Sequence, residues 1–264
     1  MILSGAADFT LHIIDADPSL SQKTAPVPAR SLKGHVRSIT DAAIIAKGRN
    51  VLSSAKDGTV RLWDVGSGSQ IRMMGVQKYS AINGLSLGEK SQGMPVPVTD
   101  GQQHTLDSRE VETSGKVFFA ALQDGNFECF DLNSKTPIYH SSSSPAYENN
   151  GALTAISLSS DNLQLATGSA KGLTTIYDTR NLQVPFCSFQ RNNASIEDLT
   201  FVSPESVAIV TEDGLPFVAK VRPSHAEVLA ELAAGTDCEA VRVAHADSNG
   251  GIWIGGDDGV VRMY

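Results

Sequence analysis

Four residue types with chemical potential crowd into one short stretch. A histidine stands in "LKGHVRS" as His35, and eighteen residues later "SSAKDGTVRLWD" begins with Ser53 and carries Asp57 and Trp63. Serine, histidine and aspartate so close together could make a nucleophile, its base and the group that orients the base. A nucleophilic serine also needs a strained, exposed elbow such as GxSxG and donors for an oxyanion. Neither is visible: Ser53 sits inside a strand-like alternation. The other chemistry open to these residues is mutual satisfaction. A buried imidazole needs both ring nitrogens occupied, a turn carboxylate accepts from it and from backbone N–H groups, and an indole N–H needs an acceptor.

Other catalytic signatures are missing. No GxxxxGK[ST] loop occurs, and "SGK" at 114–116 is too short for one, so nucleotide hydrolysis has no support. Cys129, Cys187 and Cys238 are scattered and form no CxxC pair, so neither zinc nor a disulfide framework is expected. No catalytic residue, metal or cofactor is assigned, and the chain reads as a non-enzyme.

The elements that would position these residues emerge when the chain is slid against itself. The pattern in "LSSAKDGTVRLWD" is an apolar strand, small residues, Asp-Gly, then alternation ending in an aromatic and Asp. It returns in "ILSGAADFTLHIID", "VFFAALQDGNFECFD", "LATGSAKGLTTIYD", "VAIVTEDGLPFVAKV" and "IWIGGDDGVVRMY". The turns fall at 8, 57, 124, 171, 213 and 258, so four intervals lie between 42 and 49 residues and one is 67. Asp-Gly between alternating runs predicts a hairpin. Further short strands lie between the hairpins: "SITDAAI", "SAINGLSL", "ALTAISL", "SIEDLTFV" and "CEAVRVA". "SHAEVLAELAAG" has helical propensity, but its place in the repeat calls for an outer strand over about Glu227 to Leu232. The long interval has a cause in the polar, Pro- and Gly-rich residues 88–115, which predict a flexible insertion dispensable for folding, cut by trypsin near Lys90 or Arg109. Residues 140–151 read as a second flexible connection. The expectation is one all-β propeller domain over 1–264, with about 22 strands, or five and a half to six four-stranded blades.

Bulk composition restricts partners. The net charge is -8 and the pI about 5.2, which disfavours a phosphate backbone, so no nucleic acid is expected and a basic protein partner is compatible. No run approaches the ~18 apolar residues of a membrane helix, and the N-terminus lacks a basic region followed by an apolar one. These features predict no membrane association and a cytoplasmic setting, with the nucleus open to it as well.

Gly34-His35 and Trp63-Asp64, in this register, resemble the WD-repeat family of β-propellers. The resemblance implies that His35, Ser53, Asp57 and Trp63 form a buried structural tetrad, in line with the mutual satisfaction described above. The other repeats degrade the pattern, with Ile14, Phe130, Tyr177 and Tyr264 in the tryptophan slot and Lys171 in an aspartate slot. Family members usually close seven blades. The strand count therefore implies either an N-terminally incomplete chain or a six-bladed ring joining its first and last segments.

A narrower likeness runs through "AAIIAKGRNVLSSAKDGTVRLWDVGSG", "SAINGLSLG", "SREVETSGK" and "GGDDGVVRMY". In that order these resemble the proteasomal ATPase-associated factor family, WD-repeat chaperones of the proteasome regulatory particle. The resemblance implies a non-enzymatic assembly chaperone that binds the C-terminal domain of one proteasomal ATPase subunit through the face where Gly-His loops and Asp-Gly turns converge. Exposed positions matching that face are Arg37, Lys56, Arg61, Gln123, Glu212 and Asp257. The alternative is a generic WD-repeat scaffold, such as a ubiquitin-ligase substrate receptor or a chromatin-complex subunit. A serine hydrolase is a distant third.

Overall fold

A computed structural model describes residues 1–5, 7–14, 28–95, 107–133, 137–141, 151–232, 239–247 and 249–264. They form six antiparallel sheets, each a meander of strands consecutive in sequence. The first contains β1 (Ile2–Gly5), β2 (Thr10–Ile14) and β3 (Arg30–Lys33), and the second β4 (Ile39–Ile45), β5 (Asn50–Ala55), β6 (Thr59–Asp64) and β7 (Ser69–Gly75). The third holds β8 (Ile82–Glu89), β9 (Lys116–Leu122), β10 (Phe127–Asp131) and β11 (Pro137–His140). The fourth is β12 (Leu153–Leu158), β13 (Gln164–Ser169), β14 (Leu173–Asp178) and β15 (Asn181–Gln190). The fifth is β16 (Ile196–Ser203), β17 (Ser206–Thr211), β18 (Phe217–Arg222) and β19 (His225–Glu231), and the sixth β20 (Val241–Ala246), β21 (Ile252–Gly256) and β22 (Val261–Met263). Strands β4, β8, β12, β16 and β20 pack one against the next, so the sheets are the blades of a six-bladed propeller. Six blades are thus present, and among the described residues the first and last segments, which one alternative joined, each form a three-stranded sheet of their own.

Turn chemistry explains the repeat. The residue after each turn position is left-handed: Phe9, Gly58, Gly125, Gly172, Gly214 and Gly259 all have φ between 67° and 87°. At Gly58 the requirement is double, because a Cβ there would also lie 2.6 Å from the backbone of Tyr79. In five turns an aspartate accepts from the N–H two residues on: Asp8 from Thr10, Asp57 from Thr59, Asp124 from Asn126, Asp213 from Leu215 and Asp258 from Val260. Lys171 cannot do this, and Ser169 Oγ takes the Leu173 N–H instead.

Blades bury both faces of their middle strands, which is why β5 and β9 read as nearly continuous apolar or small residues. The second and third blades share a core of Leu52, Leu62, Met74, Ile82, Phe118 and Phe130, with Phe118 stacked on Phe130 at 4.8 Å. "SHAEVLAE" is the outer strand β19, as its place in the repeat required.

Within the expected insertion at 88–115, residues 88–95 and 107–115 make defined contacts with the blades. β8 runs to Glu89, and Glu110 is paired with Arg72 at 2.5 Å with its side chain only 1% exposed. The polar composition that suggested mobility serves buried hydrogen bonds. Residues 96–106, most of the 140–151 connection, Asp15 and Cys238 lie outside the described residues.

Candidate functional site

The loop before β4 brings His35 over β5 and the β5–β6 turn. His35 Nδ1 lies 2.9 Å from Asp57 Oδ2, His35 Nε2 lies 2.8 Å from Ser53 Oγ, and Trp63 Nε1 donates to Ser53 Oγ at 2.9 Å. A carboxylate only accepts, so the imidazole proton sits on Nδ1. Nε2 then accepts from the Ser53 hydroxyl, which in turn accepts from the indole. This one-way chain, Trp63 to Ser53 to His35 to Asp57, has one proton per link. Asp57 also accepts from Val36 N, Thr59 N and Thr59 Oγ1. Burial pushes the pKa of His35 down against the pull of Asp57, which favours the neutral ring. Burial alone would raise Asp57, but hydrogen bonds from Thr59, Val36 and His35 outweigh it and hold the carboxyl below its ordinary value. Ser53 is wholly buried between a ring and an indole, so a substrate has no approach to its hydroxyl.

The partner-binding candidates lie at the end of the blades where these turns sit. Lys56, Gln123, Glu212 and Asp257 occupy one register position. Each sends its N–H to the residue preceding an inner strand, at Ser38, Ala81, Ser195 and Ala240 respectively. Gln123, Glu212 and Asp257 are exposed, Lys56 is partly buried, and Arg37 is exposed in the loop before β4. Arg61 differs: it lies within β6, donates to Gln70 at 2.6 Å and packs over Gly34.

A second feature of this rim was not legible in the sequence. Every inner strand from β4 to β20 has a register shift after its first residue, which leaves Thr40, Asn83, Thr154, Glu197 and Arg242 as the extra residues. The bulges turn Asn83, Thr154, Glu197 and Arg242 toward neighbouring blades, whereas Thr40 Oγ1 meets Ser54 Oγ of its own blade at 3.1 Å. Lys56 Nζ donates to Asn83 Oδ1, and Asn83 Nδ2 donates to Gln123 Oε1 and to Leu153 O. Thr154 Oγ1 donates to Ile196 O, Arg242 pairs with Glu197 at 2.8 Å, and Arg242 pairs with Asp257 at 2.7 Å. Three candidates, Lys56, Gln123 and Asp257, therefore join this polar rim. Arg37, Arg61 and Glu212 stand outside it. Burial lowers the Lys56 ammonium, and the Arg242 hydrogen bonds hold the Asp257 carboxyl below the usual carboxylate range.

One residue further in, Asp41 and Asp198 tie adjacent blades. Asp41 accepts from Ala42 N and Leu85 N, and Asp198 from Leu199 N and Ala244 N. Burial raises both carboxyls, Asp198 to about 6 with the charge of Asp41 adding to it.

Two substitutes for the tetrad also escaped sequence reading. In the fifth blade Asn192 holds the register position of His35 and donates to Asp213 Oδ2 at 2.6 Å. In the third, buried Glu128 accepts from Gln77 N and lies 2.8 Å from His140 Nδ1, fixing the loop before β8. Searching for Gly-His cannot find either, because the histidine is replaced or comes from the outer strand.

Known proteins resemble this chain in two ways. Residues 92–264 match the family model described as nucleolar protein 10-like, N-terminal domain, and residues 26–64 match the WD domain, G-beta repeat. The chain is 36% identical over 73 residues to small ribosomal subunit protein RACK1 of Caenorhabditis elegans, covering 27% of the chain and 22% of that protein. MST50-interacting protein 11 of Pyricularia oryzae is 36% identical over 72 residues, with the same shares. The match thus spans about a fifth of the length of these curated relatives. Among the described residues no helix is long and apolar enough to cross a membrane, and no group of three or more His, Cys, Asp or Glu could hold a metal ion.

Proposed function

We propose, from the premise that this chain belongs to the nucleolar protein 10-like N-terminal domain family and carries a WD repeat, that it is a protein-docking scaffold which works through the Asp-Gly-turn rim. The observation that carries this reading is the placement of Lys56, Gln123, Glu212 and Asp257 at one register position around that rim. Rigid hairpins hold them, so a partner bound there would cost little ordering of the scaffold. The rim is also polarised. Arg37, Lys56 and Arg61 outnumber Asp57 on the second blade, whereas on the fifth and sixth Glu197, Glu212, Asp257 and Asp258 outnumber the Arg242 and Arg262 that pair with three of them. Such a surface would orient a partner bearing the opposite polarity and speed its encounter.

The finer reading is that the partner is the C-terminal domain of a proteasomal ATPase subunit, and that the chain is an assembly chaperone of the regulatory particle base. Its support is the ordered likeness of "GRNV", "AING" and "REV" to the proteasomal ATPase-associated factor family. The family match over residues 92–264 favours a second reading, a nucleolar scaffold. Affinity capture with mass spectrometry separates the two. Proteasomal ATPases captured by the parent, and lost from an Arg37→Glu/Lys56→Glu variant, would support the chaperone. Nucleolar assembly proteins in their place would overturn it, and cullin adaptors would point to a ligase receptor.

A further inference from the structure

The segment Asp107–Thr113 lies against the opposite end of the second blade from the Asp57 turn. Its contacts have the form of a peptide read by a rigid receptor. Asn50, the first residue of β5, is fully buried, and its side-chain amide brackets one residue of the segment. Val111 N–H donates to Asn50 Oδ1 at 2.8 Å, and Asn50 Nδ2 donates to Arg109 O at 3.1 Å. The bracketed residue is Glu110. Its carboxylate accepts from Arg72 Nη2 at 2.5 Å and from Thr113 Oγ1 at 3.3 Å, while Arg72 Nη1 is anchored on Leu132 O. Arg109 donates to Ser69 Oγ at 2.7 Å and forks onto Asp107. The reading groups Asn50, Ser69 and Arg72 all stand on strands. The segment they read is irregular, has no strand pairing of its own, and reaches the fold through Gly115.

We infer that Asn50, Ser69 and Arg72 form a peptide-binding site for an Arg-Glu-apolar segment presented by a tight turn, which this chain fills in cis with Arg109-Glu110-Val111, the Glu110 N–H closing the turn on Asp107 O. The chemistry is specific. A side-chain amide satisfies the N–H and C=O on either side of one residue, and a buried guanidinium selects a carboxylate on that residue. Tethering supplies the segment at an effective concentration in the millimolar range, so an outside peptide must compete with it. A partner carrying the same tripeptide would displace the internal copy and expose residues 107–113 as it binds.

The probe is a fluorescent peptide with the sequence of residues 106–114, LDSREVETS. With an Arg109→Ala/Glu110→Ala protein, whose internal copy is disabled, anisotropy should show saturable binding. A peptide with glutamine in place of its glutamate should bind about tenfold more weakly or worse, and Arg72→Met added to the protein should abolish binding. A cooperatively folding Arg109→Ala/Glu110→Ala protein that takes up neither peptide would overturn the inference and leave the segment as packing alone. If that variant does not fold, the parent decides. Excess peptide should then accelerate tryptic cleavage at Arg109 while the glutamine peptide does not, and equal rates with both peptides would overturn it. None of these readings involves the turn rim, so their failure leaves the scaffold proposal standing.

Discussion

Replacing Asp57 by alanine removes one carboxylate and strands four donors of unequal worth. The His35 Nδ1–H is inside the protein, the imidazole side chain being 1% exposed, and leaving it without an acceptor costs about 1–3 kcal/mol. Thr59 N and Oγ1 are nearly buried and together add roughly 1 kcal/mol. Val36 is in an exposed loop, so water replaces the carboxylate there and the loss is close to nothing. The sum is about 3 kcal/mol, which for a chain of this size lowers Tm by about 6–12 °C. Asp124→Ala is the control, because it removes the same turn aspartate from a blade where the carboxylate is exposed and takes the N–H of Asn126. That variant should lose under about 0.5 kcal/mol. Thermal and urea unfolding of the three proteins checks the argument. If Asp57→Ala and Asp124→Ala melt together, the chain from Trp63 to Asp57 does not stabilise the blade.

Trp63→Ala should cost about 3–5 kcal/mol in urea unfolding, through lost packing and an orphaned Ser53 acceptor. Asp198 titrates at about 6 in the fold and near 3.9 when unfolded, so the folded state binds the extra proton between those values. Its contribution to stability is therefore present below pH ~4 and lost as pH rises to ~6, and Asp198→Asn should remove that decline from a series of urea midpoints. Trypsin should spare Arg109 in the native protein, because its carbonyl and side chain are both engaged, and mass spectrometry of early fragments would reveal any cut there. Arg37→Glu/Lys56→Glu should weaken partner capture by about tenfold or more while moving Tm by less than ~3 °C, and loss of fold would show that these side chains serve structure instead.

The hairpin turns were readable because their chemistry is local. Asp57-Gly58 and its repeats announce a left-handed residue and, directly before it, an acceptor for the N–H two positions on, and the chain obeys even at Asp8-Phe9, where a bulky residue takes the glycine's place. The tetrad was readable for a related reason, since His35, Ser53, Asp57 and Trp63 lie within one repeat. The inner rim was not. Asn83 and Arg242 are ordinary polar residues until a bulge and the neighbouring blade give them partners far away in sequence. The contacts at 107–113 are equally hidden, because composition alone does not show them. Arg, Glu, Thr and Asp suggest solvent, yet Glu110 meets a buried Arg72 supplied by another blade. Asn192 shows the same limit, as it does the work of His35 toward a turn aspartate without sharing its motif.

The bulges bear on how rim variants should be interpreted. An inner strand continuing its alternation would point its second residue along its own blade, and the bulge sends it sideways instead. Glu197, Arg242 and Asp257 then form one unit across the fifth and sixth blades, with Arg242 held by both carboxylates and its own pKa raised by them. Removing Asp257 alone leaves Arg242 on Glu197, so the blades stay joined and the loss falls on whatever Asp257 presents outward. Removing Arg242 frees two carboxylates close together on one surface and breaks the inter-blade tie as well. Asp257→Ala and Arg242→Ala should therefore be non-additive in stability by about 0.5 kcal/mol or more, whereas Asp257→Ala and Arg37→Ala, which share no partner, should add. Additivity in both pairs would mean that the rim is a row of independent surface charges. Coupling in the first pair alone would mean that a partner touching Asp257 also loads the joint between two blades.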